Sequence, residues 1–438
     1  MRRIRKKYLI IFIVLLLFIT IGYSTLETNT GISGQTIIDY NRVLVKWNNL
    51  TITIGSATPE IEPVLEDEET QINFSVKLDD RGEFYEFSFD AINMIEQNTM
   101  IDSIEFYVDG QDINSNLPTA LEYELTYSDG TPVREKDILK PGENNKESIK
   151  VRINTKSTAS YSDIWRLPKL SYRLKINYIE ADDTARTVYH PGVFSEDSWE
   201  TIVGVVQSGN KKAYNVGDTK TVNLGSLGNH NLRIANKSTP SACNDNSFSQ
   251  SACGFVLEFE DIIELKRINP WEMGKKTNGN GNIGGWYYSE ARTYINSNIY
   301  NLLPIELRQG IIDTYVVSSH GDTTGEENGV SVDKLYLLST KEIWGVQVSN
   351  STHTTILDKD TAFNNTRQLD YYSGLGVTET KYTGVAKTYS GTKKYYWTRS
   401  AYSTNTTSFF YVGYDGGVMY GSSSSSSQDG ISPAFRIG

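Results

Sequence analysis

The chain has 438 residues with 42 basic and 53 acidic side chains, a formal net charge of −11. It lacks the basic stripe that binding to phosphate backbones requires, which argues against nucleic acid as a partner; an acidic surface suits solubility outside the cell. With only two cysteines, hydrophobic cores rather than a disulfide framework must hold the fold, and a chain of this length has room for two of them.

The chain opens Met1-Arg2-Arg3-Ile4-Arg5-Lys6-Lys7 and runs apolar from Tyr8 to Ile21, interrupted only by Thr20. A basic n-region followed by an apolar h-region reads as an export signal. The apolar run is shorter than the ~20 residues of a comfortable membrane span. Gly22 and Ser24 stand as small residues at cleavage positions, so removal of residues 1–24 and their retention as an anchor both remain open. If retained, the five basic residues keep the N-terminus in the cytoplasm. Without them the exported part carries 37 basic against 53 acidic groups, or −16.

Residues 25–180 are expected to form a β-sandwich domain. Phe84-Tyr85-Glu86-Phe87-Ser88-Phe89-Asp90-Ala91 alternates apolar and polar residues with the period of a half-buried strand, and residues 170–178 repeat the pattern. Weaker strands are read at 43–54, 72–78, 101–108, 121–127 and 149–155, separated by turns such as Ser128-Asp129-Gly130-Thr131-Pro132. About seven short strands without a strong helix suggest an antiparallel sandwich of immunoglobulin-like size. Residues 181–199, with Ala181-Asp182-Asp183 and His190-Pro191-Gly192, read as a linker.

A second domain is expected over 200–438, where Gly, Asn, Ser, Thr and Tyr become frequent. Its first helix is predicted at Ser289, a good N-cap, with Ala291, Tyr294, Ile295, Ile299, Leu302 and Leu303 on one face. Pro304 breaks it, and 305–313 reads as a second short helix. Strands follow at 334–338, 395–399, 409–414 and 434–437, an α+β order. The overall fold class is therefore mainly β plus α+β. Cys243 and Cys253 flank a polar stretch, and the leading expectation is a local disulfide pinning a peripheral insertion, with two free thiols as the alternative.

Ile21-Gly22-Tyr23-Ser24-Thr25-Leu26, Gly31-Ile32-Ser33-Gly34, Val45-Lys46-Trp47 and Gly82-Glu83-Phe84-Tyr85-Glu86-Phe87 resemble the N-terminal module of Gram-positive surface proteins, itself distantly similar to the β-sandwich subunits of biofilm matrix fibres. The second domain resembles a bacterial domain of unknown function, family six-two-seven-three. The matching stretches are Phe259-Glu260-Asp261-Ile262-Ile263, Gly284-Gly285-Trp286, Asp333-Lys334-Leu335-Tyr336-Leu337-Leu338-Ser339, Tyr396-Trp397-Thr398-Arg399-Ser400 and Gly430-Ile431-Ser432-Pro433-Ala434-Phe435-Arg436-Ile437. The Trp397 and Phe435 strands are also similar to the core of C-type-lectin-like folds, including formylglycine-generating enzymes and phage receptor-binding domains, an analogy of fold that assigns no function.

No catalytic constellation stands out. His190, His230, His320 and His353 lack metal-ligand spacing, and Ser319-His320-Gly321-Asp322 are neighbours that cannot aim at one another as a triad must. Ser331-Val332-Asp333-Lys334 matches S-x-x-K without its companion elements. Asn278-Gly279-Asn280-Gly281-Asn282 offers no carboxylate to calcium, and residues 422–427 read as a serine loop. Both cysteines lie upstream of where formylglycine-generating enzymes carry theirs. No metal or other cofactor is expected. Tyr371, Tyr372, Tyr382, Tyr389, Tyr395 and Tyr402 crowd a polar segment, the mixture used by adaptable binding surfaces, and Tyr371, Tyr372, Tyr389, Tyr395 and Tyr402 are the candidate ligand contacts. Trp286, Trp397, Arg399, Phe435 and Arg436 are expected to be framework.

The expected function is that of a non-enzymatic, extracytoplasmic binding protein, secreted or held at the cell envelope by its N-terminus. The sandwich would be a stalk, and the second domain would recognise a glycan or protein. The alternatives are an envelope or matrix subunit that self-associates through sandwich edge strands, and an enzyme with dispersed site residues.

Overall fold

The structure, a computed structural model, describes residues 44–65, 70–269, 281–282, 284–319, 329–345, 365–402, 407–423 and 428–438. The export signal, His320, His353, Asn278 to Asn280 and most of the serine loop lie outside the described residues. Among the described residues no helix is long and apolar enough to cross a membrane. The protein is mainly β, built from several antiparallel sheets.

The alternating segments of the first half become β1 (Val45–Ile52), β2 (Ile61–Leu65), β3 (Gln71–Val76), β4 (Phe84–Asn93), β5 (Thr99–Val108), β6 (Gln111–Asp112), β7 (Leu121–Tyr127), β8 (Ile138–Leu139), β9 (Glu147–Thr155) and β10 (Leu170–Glu180). They form two sheets, β1-β4-β9-β7 and β2-β3-β10-β5-β6, with β8 paired to β5. Tyr85, Phe87, Phe89 and Ala91 of β4 are all buried, as their alternation predicts. Phe74 of β3 meets Phe87 edge-on at 5.0 Å and stacks on Tyr172 of β10 at 4.9 Å, so side chains of both sheets share this core. On the polar face of β4, Glu86 and Asp90 are also buried, because cross-strand cations cover them: Arg152 lies 2.8 Å from Glu86, and Lys146 2.7 Å from Asp90.

The register fixes where the chain enters and leaves these sheets. Val45 pairs with Asn93, Asn93 donates to the Gln97 carbonyl, and Ala181 donates to the Asn98 carbonyl. β1 therefore starts at the end where β10 finishes. The far end carries Trp165, 71% exposed, beside Tyr161.

Residues 181–199 are held against the first sheets. Arg186 bridges Asp137 in parallel, and His190 reaches Asp129 at 2.5 Å and Glu147 at 3.2 Å. Helix α1 (Trp199–Ser208) follows, capped by the Ser198 hydroxyl, which accepts from the Thr201 amide, and closed by Gly209 at φ 76°. It buries Ile202, Val203 and Val205. The sequence places the second domain's first helix ninety residues later, because a run of β-branched residues hides a helix.

The second half contributes β11 (Thr219–Asn223), β12 (Asn229–Asn236), β13 (Phe255–Phe259), β14 (Glu264–Lys266), β15 (Thr314–Ser318), β16 (Gly329–Asp333), β17 (Leu335–Tyr336), β18 (Lys387–Tyr389), β19 (Thr392–Lys394), β20 (Tyr396–Ala401), β21 (Ser408–Val412), β22 (Val418–Ser423), β23 (Asp429–Ile431) and β24 (Ala434–Ile437). Two five-stranded sheets result, β11-β12-β13-β24-β17 and β14-β23-β20-β21-β22. The helix predicted at Ser289 forms as α2 (Glu290–Tyr294), with Ser289 as N-cap, and continues as a π-turn, Ile295–Ile299. Helices α3 (Ile305–Gly310), α4 (Thr340–Trp344) and α5 (Asp370–Gly374) complete this half. Its core packs Trp286, Trp344, Trp397, Phe259, Phe409 and Phe435 together.

Candidate binding surface

Two buried ionic clusters brace the second half. Arg399 of β20 and Glu342 of α4 are both fully buried. The guanidinium grips the carboxylate through both Nη atoms, one at 2.6 Å, and also donates to the Leu337 carbonyl at 2.8 Å and the Ser251 hydroxyl at 3.0 Å. Glu342 further accepts from the Ser339 amide at 2.9 Å and Thr366 at 2.8 Å. Burial alone would push its carboxyl up; the Arg399 charge outweighs that and holds it below the usual carboxylate range. In the second cluster Glu258 of β13 accepts from Arg233, Lys387 and Tyr372, each at 2.8 Å. Against burial, Lys387 and Arg233 bring its carboxyl down to about 2.

Trp286, Trp397, Arg399 and Phe435 are all fully buried within this half. Arg436 is partly buried and donates to the Cys253 carbonyl at 2.7 Å. Cys243 and Cys253 are joined. The closed loop is not a peripheral insertion, however. Cys253, Ser249, Ser251 and Ala252 are buried, Ser251 sits in the Arg399 cluster, and Tyr336 donates to its carbonyl at 2.8 Å. The polarity that suggested a solvated loop serves buried hydrogen bonds instead.

The five candidate tyrosines do not converge. Tyr372 is buried with its hydroxyl on Glu258, Tyr402 is buried between β20 and β21, and Tyr371 lies under Arg233 at 3.8 Å. Tyr389 packs half-buried against the core. Tyr372 and Tyr402 therefore present no surface to a ligand, a correction that follows from their burial. Tyr395, 36% exposed, remains. It meets Tyr411 of β21 at 5.3 Å and Tyr414 at 5.6 Å. Tyr414 is 58% exposed, and Met419 of β22 lies opposite Tyr411. Two exposed phenol rings, the half-buried ring of Tyr411 and the exposed Met419 therefore lie together on the β20-β21-β22 side. Tyr411, Tyr414 and Met419 escaped the sequence reading, although the strand predicted at 409–414 contains both tyrosines; their meeting with Tyr395 depends on β20 pairing with β21.

The histidines described are occupied. His230 bonds Asp261 at 3.0 Å through Nδ1 and the Leu227 carbonyl at 3.0 Å through Nε2, leaving no ring nitrogen for a substrate. Ser331 bonds Asp333 at 2.8 Å within β16, while Lys334 pairs with Asp313, so the S-x-x-K residues face different partners. Among the described residues no group of three or more His, Cys, Asp or Glu could hold a metal ion.

These features describe a mainly β protein with an ionic framework and an exposed aromatic patch in its C-terminal half. Residues 257–438 match a family model described as Domain of unknown function (DUF6273), in agreement with the resemblance read for that half. The match starts within β13, so α1, β11 and β12 precede it. No curated protein and no solved structure matches the chain.

Proposed function

We propose that this is a non-enzymatic, extracytoplasmic binding protein whose C-terminal half recognises a glycan or protein ligand. On this reading the first two sheets are a β-sandwich of immunoglobulin-like size and the second half is lectin-like. The Tyr395, Tyr411 and Tyr414 patch carries the reading: aromatic rings offer rigid contact area with a polar tip at low conformational cost. The basic and apolar N-terminus supports an address at the envelope. A glycan and protein array probed with the chain and its Tyr395→Ala/Tyr414→Ala variant checks it. A specific ligand lost in the variant is expected, and silence on every spot would refute it.

A second reading, a self-associating envelope subunit, is favoured by Ile52, Ile54, Ile61 and Val64, which are exposed on and beside the edge strands β1 and β2. Pro63 and a register shift in β2 work against continuous pairing there. Sedimentation separates the two readings, since a strict monomer at high concentration removes the second.

A further inference from the structure

An open cleft of about 210 Å³ lies where α1 meets the first sheets. The β7–β8 connection contributes Thr131, Pro132, Arg134 and Asp137, the following segment Arg186 to Tyr189, and α1 Gly204, Gln207 and Ser208. One wall is set by a glycine. A Cβ on Gly204 would stand 2.1 Å from the Tyr189 ring, so only glycine lets that ring lie against α1.

The charges in this cleft do not balance. Asp137 is its one carboxylate, and both oxygens are engaged: Arg186 Nε reaches Oδ1 at 3.2 Å, while the Tyr127 hydroxyl at 3.1 Å and the Arg134 amide at 2.9 Å reach Oδ2. Arg186 is thereby neutralised. Arg134 has no carboxylate within ion-pair distance among the described residues, and its guanidinium donates only to the Gln207 carbonyl, at 3.4 Å. Capping the end of α1 in this way uses one of five guanidinium donors. Burial, then repulsion from Arg186, disfavours the Arg134 charge, and attraction to the already engaged Asp137 offsets only part of this. Proteins seldom leave a partly buried guanidinium beside a second one without a counter-charge.

We propose that this cleft binds an organic oxyanion, its carboxylate or phosphate head on Arg134 beside Arg186 and its uncharged body against Tyr189 and Pro132. A guanidinium fork matches two oxygens of either head group, and the cleft exceeds the volume of a bare inorganic anion. A ligand seated there touches both the β7–β8 connection and α1, so it ties the two halves together.

Calorimetric titration of the full chain with phenyl phosphate, inorganic phosphate and phenol tests this. Phenyl phosphate should bind, inorganic phosphate should bind more weakly, and phenol should give no heat. Arg134→Gln should weaken phenyl phosphate at least about tenfold, the lower end for a charge-assisted hydrogen bond. Thr187→Asp, at an exposed lining position, leaves Arg134 in place and adds a carboxylate; it should weaken binding by a similar factor even if the first variant fails to fold. Silence with both phosphates, or binding unchanged in either folded variant, would overturn the proposal.

Discussion

Reducing the Cys243–Cys253 bond frees a loop whose ends are 10 residues apart in sequence. The chain-entropy relation gives about 2.7 kcal/mol for closing a loop of that length. Reduction leaves both sulfurs where they are, so the contacts of Ser249 and Ser251 are not removed directly. Those contacts decide what the freed loop does. Ser251 accepts from Arg399, Ser249 Oγ accepts from the Val317 amide at 3.2 Å, and Arg367 donates to the Ala252 carbonyl at 3.1 Å. The loop should stay docked, and the loss should be the entropic one alone. For one cooperative unit spanning Val45–Gly438, about 2.7 kcal/mol lowers the melting temperature by roughly 3 °C. Calorimetry with and without reductant reads this shift, and thiol titration of the untreated protein checks the bond. Two reactive thiols before reduction would refute the disulfide. A shift below about 2 °C, or complete unfolding at 25 °C, would refute the reasoning from a docked loop.

Three further outcomes are expected. Arg399→Met strips the counter-charge from fully buried Glu342 and should cost about 3–5 kcal/mol in denaturant unfolding; a loss under 1 kcal/mol would show that water reaches the carboxylate. His190 is pushed up to about 10 by its hydrogen bonds to Asp129 and then Glu147. Its folded-state affinity for the proton exceeds that of the unfolded chain, so its stabilising contribution is complete below about 6.5 and fades as pH rises toward 10. The melting temperature of wild type minus that of His190→Asn should fall across that window, and a flat difference would contradict the pairing of His190 with the two carboxylates. Gly204→Ala should cost about 1–3 kcal/mol by driving a methyl into Tyr189, and adding Tyr189→Ala should recover part of it; strictly additive losses would place the strain elsewhere.

How much of this was legible follows from what a local stretch of sequence contains. Period-two alternation located seven strands of the first half, since each strand's own residues decide which face is apolar. The short pieces β2, β6 and β8 escaped because they exist only by pairing with β3 and β5. For α1 the cap signals were present in Ser198 and Gly209, but Ile202, Val203, Val205 and Val206 outweighed them as strand formers. The tyrosine segment failed for a deeper reason. Tyr372 sits 114 residues from Glu258, the carboxylate that draws its hydroxyl inward, and Lys387 is 129 residues from the same group. Neither distance leaves a local trace.

The same separation governs the framework. Arg399 could be assigned to a bracing role because it lies within a family-like strand, yet nothing nearby named Glu342, 57 residues away, or Ser251, 148 residues away. A polar residue reads as surface until its partner is known, and in this chain partners are distant. The tyrosines that meet on the β20-β21-β22 side are therefore informative by contrast. Glu258 and Val385 accept from the buried Tyr372 and Tyr396 within the core, whereas Tyr395, Tyr411 and Tyr414 gather around one another at the surface. A fold that engages so many of its polar groups inside, yet keeps Tyr395 and Tyr414 at the surface with the half-buried Tyr411, makes that patch the place where the proposed ligand contact is to be tested.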